Sequence, residues 1–493
     1  MFPFQAIHRL KDMDTPKWPA VKGPRILTLI GNDITVDVRS RKTAASLARS
    51  GFSVIAMGIA SPANPAGIDN HHGALLCRFP VARRFRSIPF IYKFSRESIR
   101  FLIFEIASSM KEKLRTHQNS FRKNDTNKYK SIFKKYKHKT ITLLLKINLR
   151  IIRGALLLID HRLTSRTLSR SWRWILPEMH HYESSMGSIV DSLQPHLIHV
   201  HDIFHLGLAV RAIERADREG RRIKLVYDIH EYIPGLPIGL AKRYGYEHLE
   251  NEYGHRADAF VTVSPGLKSL TEKRFNVPTT IVLNAPDLTS ATITKPLREV
   301  VNLSSEEILM VYVGGIAPHR GAELLIDAIP DLERNIHLVF VSASTSGYVA
   351  SLMERSRNAG IGNRVHFAPF VEPEAVVSYI SSADLSLIPL SRDIKNYEIA
   401  LPNKLFQSIH AGIPVIVSDN PDMEHFVNES GVGEVFSGGD SLSMIEAIKM
   451  VVENYQSYHE ATRDERLLSE TAWEHQAGLL LDTYKNLGIS TDD

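Results

Sequence analysis

The 493-residue sequence contains one cysteine, Cys77. An intramolecular disulfide is therefore excluded, and so is a metal site built on several thiolates; this usage fits a reducing compartment. Long apolar runs are missing too. No stretch of about 18 uncharged apolar residues occurs, so a membrane-spanning helix is not expected. The first residues, MFPFQAIHRLKDMD, lack the apolar core of a secretory signal. Glycine is scarce where a dinucleotide-binding chain would need it. The loop GNDITVD at Gly31–Asp37 has one glycine, which argues against the nicotinamide fingerprint.

What is present is an ordinary soluble composition, 43% hydrophobic and 23% charged. The length exceeds what one core supports, so two or three domains are expected. The net charge of +6 conceals a strong asymmetry. Residues 83–166 hold 22 Lys and Arg against 5 Asp and Glu, leaving the remainder of the chain acidic.

The apolar pattern alternates between short runs and helical periods. Arg25–Asn32 reads as a strand, Arg39–Ser50 as a helix and Phe52–Gly58 as a second strand, the opening of a parallel doubly wound sheet. Gly73–Val81 reads as a further strand. The alternation then breaks at a basic insertion, 83–195. Within it lies a lysine cluster, Lys128–Lys139, and a helical stretch, Thr140–Ile159, whose Lys146, Arg150 and Arg153 share one narrow face. That face fits a helix lying in a membrane interface against anionic headgroups. A core helix with one wet stripe is the other reading, and the neighbouring lysines favour the first. No nucleic-acid recognition module follows, so nucleic acid is not an expected partner.

Strands resume at Leu197–Asp202, Lys224–Glu231, Ala257–Ser264 and Thr280–Asn284, and a second series begins at Ile308–Gly314. The expected organisation is an extension at 1–24, a first Rossmann-like domain at 25–287 carrying the insertion, and a linker at 288–305. A second Rossmann-like domain follows at 306–460, with terminal helices at 461–493 packing back on the first. The fold class is α/β, with two doubly wound domains facing a cleft at their strand carboxyl ends.

Polar residues gather at those ends. On the first side they are Asn32, Asp33, His201, Asp202, Asp228, His230 and Glu231. His199 and His201, two apart on a strand, point to one face and raise a metal question, with Asp202 beside them. No third and fourth ligands stand out in that motif, so no metal is expected. His199 reads as a buried, hydrogen-bonded histidine and His201 as a substrate contact. On the second side, VGGIAPHRG at Val313–Gly321 brings Gly314 and Gly315 to a turn that backbone can bring close to a phosphate, with Arg320 as a bidentate partner. Asn396–Asp419 (NYEIALPNKLFQSIHAGIPVIVSD) reads as an irregular lead-in, a helix opened by Pro402, and a buried strand. The helix start at Asn403 and Lys404 is an anion site, and Glu398 before it is placed to touch sugar hydroxyls.

These segments, HVHD (His199–Asp202), YDIHE (Tyr227–Glu231), ADAFVTVS (Ala257–Ser264), VLNAPD (Val282–Asp287), VGGIAPHRG and NYEIALPNKLFQSIHAGIPVIVSD, resemble in order the motifs of GT-B glycosyltransferases of the retaining family four. The resemblance runs over roughly residues 25–455. It implies a nucleotide-diphosphate sugar bound to the second domain, a glycan or lipid-linked acceptor bound to the first, no metal, and a retained anomeric configuration. It implies that Arg320 and Lys404 hold the diphosphate, that Glu398 is the first acid of the family's Glu-x7-Glu signature, and that His201 is the first-domain histidine near the reacting centre. Two departures stand out: Gln407 replaces the second acid, one residue further along, and Gly315 stands where an arginine is frequent. Gln407 retains hydrogen-bonding capacity toward ribose hydroxyls.

The function expected from the resemblance is sugar transfer in envelope polysaccharide or glycolipid synthesis. The expected location is cytoplasmic, peripheral at the inner face of a membrane that 83–166 would meet. A sugar-nucleotide epimerase or hydrolase of the same fold and a non-catalytic sugar-nucleotide-binding module remain as alternatives, separated from transfer by product analysis.

Overall fold

The computed structural model describes residues 15–81, 172–289, 295–343 and 347–491. The lysine cluster and the Thr140–Ile159 stretch lie outside the described residues. Contacts divide the chain into one unit of Met1–Val81, Tyr182–Pro237 and Glu250–Asp493, and another of Ala82–His181 with Ile238–Leu249. Both sheets belong to the first unit. In the other, the described residues include the helical turn Trp172–Ile175, where the Trp172 and His180 rings stack at 5.6 Å.

The first sheet has eight strands: β1 (Arg25–Ile30), β2 (Ser53–Ile59), β3 (Gly67–His71), β4 (Ala74–Phe79), β5 (Leu197–His201), β6 (Lys224–Ile229), β7 (Ala259–Thr262) and β8 (Thr279–Ile281). Their spatial order is β3-β4-β2-β1-β5-β6-β7-β8. All neighbours pair in parallel except β3 with β4. Runs such as RILTLI and SVIAMGI are buried almost throughout, as helices covering both faces of a parallel sheet require. β3 escapes the strand reading because GIDNH is polar and mostly exposed. It is an edge strand, returned by His72 and Gly73, both at positive φ, in the manner of a two-residue hairpin.

The second sheet comprises β9 (Ile308–Val313), β10 (Ile336–Val341), β11 (Val365–Ala368), β12 (Leu385–Ile388), β13 (Val415–Ser418) and β14 (Gly433–Phe436). Its order is β11-β10-β9-β12-β13-β14, all parallel. In each sheet the order reverses beside the first strand, between β1 and β5 and between β9 and β12. A crevice opens at such a point above the strand carboxyl ends, and the chain places its polar loops there.

The helix Trp473–Asn486 returns to the first sheet. Trp473, Leu480 and Tyr484 join the core formed by Ile26, Val54, Leu197 and Val226. The indole Nε1 of Trp473 donates to Ser46 Oγ at 2.9 Å, and the Tyr484 hydroxyl lies 2.6 Å from His199 Nδ1. The helix Glu178–Leu193 is tied to the helix Leu206–Arg218 by Arg211–Glu183 at 2.7 Å and Arg215–Asp191 at 2.8 Å.

Trp473 is 2% exposed, so Trp473→Ala removes a large core side chain and a buried donor together. The expected loss is about 3–5 kcal/mol. Urea unfolding of the full chain should show it, with Trp473→Phe losing less.

Candidate functional site

A cleft of about 540 Å³ lies at the two reversal points. Asn32, Arg39, Asp202, His230 and Glu231 line it from the first sheet; Gly314, Gly315, Arg320, Asn403, Lys404 and Gln407 line it from the second.

On the second-sheet wall, β9 is followed by Gly314 at φ +108, a backbone state that L side chains rarely adopt. Arg320 follows on the same loop, its Nε donating to the Tyr397 hydroxyl at 3.3 Å. Tyr397 belongs to a short helix, Lys395–Glu398, where an irregular lead-in is expected from the sequence. Pro402 is the N-cap of the helix Asn403–His410 rather than part of its first turn, and it supplies no side-chain cap. The first N–H groups of that helix are thus left for a ligand. Lys404, in this first turn, is enclosed. Its Nζ has no hydrogen-bond partner among the described residues and sits 4.0 Å from the centre of the Tyr312 ring. Burial, and then the Arg320 charge, push its pKa down to about 7. An enclosed ammonium without a counter-charge is unfavourable, and an anion entering the cleft removes that cost.

On the first-sheet wall, Asp37 caps the helix Val38–Arg49 by accepting from Ser40 N at 2.8 Å. Arg39 follows at once. Its Nε and Nη2 meet the two oxygens of Asp228 at 2.7 and 3.0 Å, and its Nη1 donates to Val282 O at 3.0 Å and Asn284 Oδ1 at 2.9 Å. Burial opposes ionisation of Asp228, but the guanidinium and the surrounding histidines hold its pKa well below the carboxylate range. His230 stands just beyond β6, its Nε2 3.0 Å from Asp202 Oδ2. Burial disfavours its charge; Asp202 outweighs that, so its pKa is raised well above the usual value. Asp202 adopts φ 55 and ψ 178, a region almost confined to glycine. Its other oxygen accepts from Glu231 N at 3.3 Å, so the strained residue braces both cleft-facing neighbours. The Glu231 carboxyl is raised, by burial first and then by Asp202.

Four expected site residues are not placed on the cleft. His201 is fully buried: it ends β5 on the same face as His199, and its Nδ1 turns to Asp228 at 3.1 Å. The histidine that faces the cleft is His230. Asp228 lies beneath the wall as the partner of Arg39. Asp33 staples its own loop, accepting from Thr35, Ser61 and Asn64. Burial raises the pKa of Asp33, but these bonds bring it down to about 2. Glu398 turns away because its segment is helical: Asn396 and Tyr397 face the cleft, while Glu398 pairs with Lys395 at 3.1 Å.

Motif reading does not reach Arg39, Lys42 (paired with Asp287 at 3.1 Å) and Tyr397, which line the cleft, or Tyr312, which lies under Lys404. A signal for the first two was present. VRSRK puts cations at a helix start, where the dipole disfavours them, so a nearby acid was to be sought.

The metal question also changes. Atoms of His199, His201 and Asp228 lie within 4.8 Å of one another, so the third donor absent from HVHD comes from the adjacent strand. Arg39 engages both oxygens of Asp228, so a cation there would compete with the guanidinium for them, while the Nε2 atoms of His199 and His201 have no hydrogen-bond partner among the described residues.

Comparison with known proteins bears on the family and the fold. The glycosyl transferases group 1 family matches residues 294–467, and the glycosyl transferase 4-like domain matches 160–286. The chain belongs to the GT-B glycosyltransferases of group 1, a family of transferase enzymes. An alpha-monoglucosyldiacylglycerol synthase of Streptococcus pneumoniae is 22% identical over 271 residues, 52% of this chain and 59% of that protein. The chain spans less than two thirds of the length of the curated relatives it matches. Among solved structures, sucrose-phosphate synthase of Thermosynechococcus elongatus aligns with TM-score 0.65 at 14% identity, over 94% of this chain and 99% of that one. The Anabaena protein HepE in complex with UDP and glucose aligns with TM-score 0.59 at 14% identity, over 94% and 100%. Both share the two-sheet fold. Among the described residues, no helix is long and apolar enough to cross a membrane.

Breaking the buried pair should be costly. Asp228→Ala leaves the guanidinium of Arg39 enclosed and unpaired, for an expected loss of about 3–5 kcal/mol in denaturant unfolding. Adding Arg39→Met to Asp228→Leu should lose much less than the sum of the two single changes.

Proposed function

We propose that the chain transfers a sugar from a nucleotide-diphosphate donor, held on the second sheet, to a glycan or lipid-linked acceptor on the first, with retention of anomeric configuration. The observation that carries this is Lys404, a cation enclosed without a partner at an uncapped helix start, with Arg320 on the facing loop. Two cations and free N–H groups stabilise the negative charge that grows on a departing diphosphate. His230, Asp202 and Glu231 face them across the cleft and are placed to orient the reacting sugar and the acceptor hydroxyl. Gln407 lines the same cleft and serves the nucleotide ribose. The reaction needs no metal in this reading, because Arg320 and Lys404 supply the positive charge.

The UDP and glucose bound by the Anabaena protein support a donor of this class. The pneumococcal relative, named for a glucosylated diacylglycerol, supports a lipid-linked acceptor. The basic stretch 83–166, which would bring such an acceptor's membrane surface near, lies outside the described residues.

Product analysis with UDP-glucose or GDP-mannose and a lipid or glycan acceptor tests the reading. Arg320→Ala and Lys404→Ala should each lower turnover by about 10²–10³-fold. Unchanged turnover removes the diphosphate assignment, and free sugar released without an acceptor replaces transfer by hydrolysis.

The depressed pKa of Lys404 adds a pH dependence. In the free protein Lys404 loses its proton near pH 7, whereas a bound diphosphate favours the charged form. Donor affinity should therefore fall as pH rises above 7, by up to about tenfold per unit, with uptake of one proton on binding. Calorimetry with UDP-glucose, whose diphosphate does not titrate in this range, should show it, and Lys404→Ala should flatten the profile.

A further inference from the structure

We propose that Tyr312 is a positioning residue for donor binding: its aromatic face is the seat that holds the Lys404 ammonium ready for the diphosphate. The inference rests on the donor reading above and names the residue that makes the site competent before the donor arrives.

Tyr312 is the penultimate residue of β9 and is fully buried. Strand geometry aims its ring beneath the first turn of the helix Asn403–His410. The Lys404 Nζ lies 4.0 Å from the ring centre, close enough for a strong cation–π contact. Among the described residues nothing else holds this charge. No ion pair or hydrogen bond reaches the Nζ, and the nearby charge that acts on it is the like charge of Arg320. The Tyr312 hydroxyl is committed elsewhere, donating to Gly315 O at 3.0 Å, so it fixes the ring and the glycine turn together. The face of the ring is thus the available stabiliser for an ammonium cut off from water.

Arg320 repeats the arrangement more loosely. Its guanidinium carbon is 5.7 Å from the centre of the Tyr397 ring, and its Nε meets that residue's hydroxyl. Asn420 Nδ2 donates to the main-chain carbonyl of Tyr397 at 2.9 Å and holds that residue's backbone. Each proposed diphosphate cation is therefore backed by a tyrosine from the second sheet's own elements. The bland alternative, a core tyrosine with a lysine passing by, predicts that only the shape of Tyr312 matters.

The two separate when the ring keeps its shape and loses electron density. Phenylalanine, 3,5-difluorophenylalanine and 3,4,5-trifluorophenylalanine would be placed at position 312 of the full chain, and UDP-glucose and GDP-mannose binding measured with each at pH 7. Affinity should decline with each step of fluorination, by roughly tenfold between Tyr312→Phe and the trifluorinated ring, at an unchanged thermal midpoint. Tyr312→Phe keeps an unfluorinated face but loses the hydroxyl's bond to Gly315 O, so it is the reference against which the fluorinated rings are read. Equal affinity across the series, with wild-type binding intact, overturns the inference and leaves the donor reading standing. Wild-type protein that binds neither probe overturns the donor reading itself, and this inference falls with it.

Discussion

The buried pair of Arg39 and Asp228 is the interaction on which the first half of the site depends. One guanidinium joins the start of a helix, the end of β6 and the carbonyls of Val282 and Leu283. One carboxylate also receives His201, with His199 Nε2 3.5 Å away and His230 Nδ1 3.9 Å from its other oxygen. Because neither charge meets water, each depends on the other, and small displacements are penalised steeply. The cleft wall thereby inherits the rigidity of the core beneath it.

The second wall is organised in the opposite sense. Its cations have no acidic partner within ion-pairing distance among the described residues, and aromatic faces stand in for one. A paired charge on one side and unpaired charges on the other give the cleft its chemical direction. Contacts between the two halves lie close by. Tyr232 N donates to Asn396 Oδ1 at 2.7 Å and Ser264 Oγ to Ile399 O at 2.5 Å, so the segment that carries Tyr397 also bears on the first half.

Much of the fold was legible because parallel strands covered on both faces write themselves as continuous apolar runs, and ILMVYV or SVIAMGI admit few other readings. The second half of the site was legible for a similar reason. Arg320 and Lys404 stand next to helix and turn signals in the chain. The first half was less so. HVHD shows two histidines but not which face of β5 meets the core, where His201 is buried while His230 lines the cleft. The partner of Arg39 is 189 residues away, beyond the reach of local pattern. The single helical turn at Lys395–Glu398, which local pattern does not announce, rotates Glu398 out of line with Tyr397 and toward Lys395.

The return of the helix Trp473–Asn486 has a consequence for the order in which the chain is completed. The first sheet is synthesised before the second, yet Tyr484, which closes over His199, lies 285 residues downstream of it. During synthesis the first half must wait, with apolar surface and the polar cluster under β5 uncovered, until the second half has been made. The domain that begins first is finished last. Such long-range closure slows folding and lengthens exposure to aggregation.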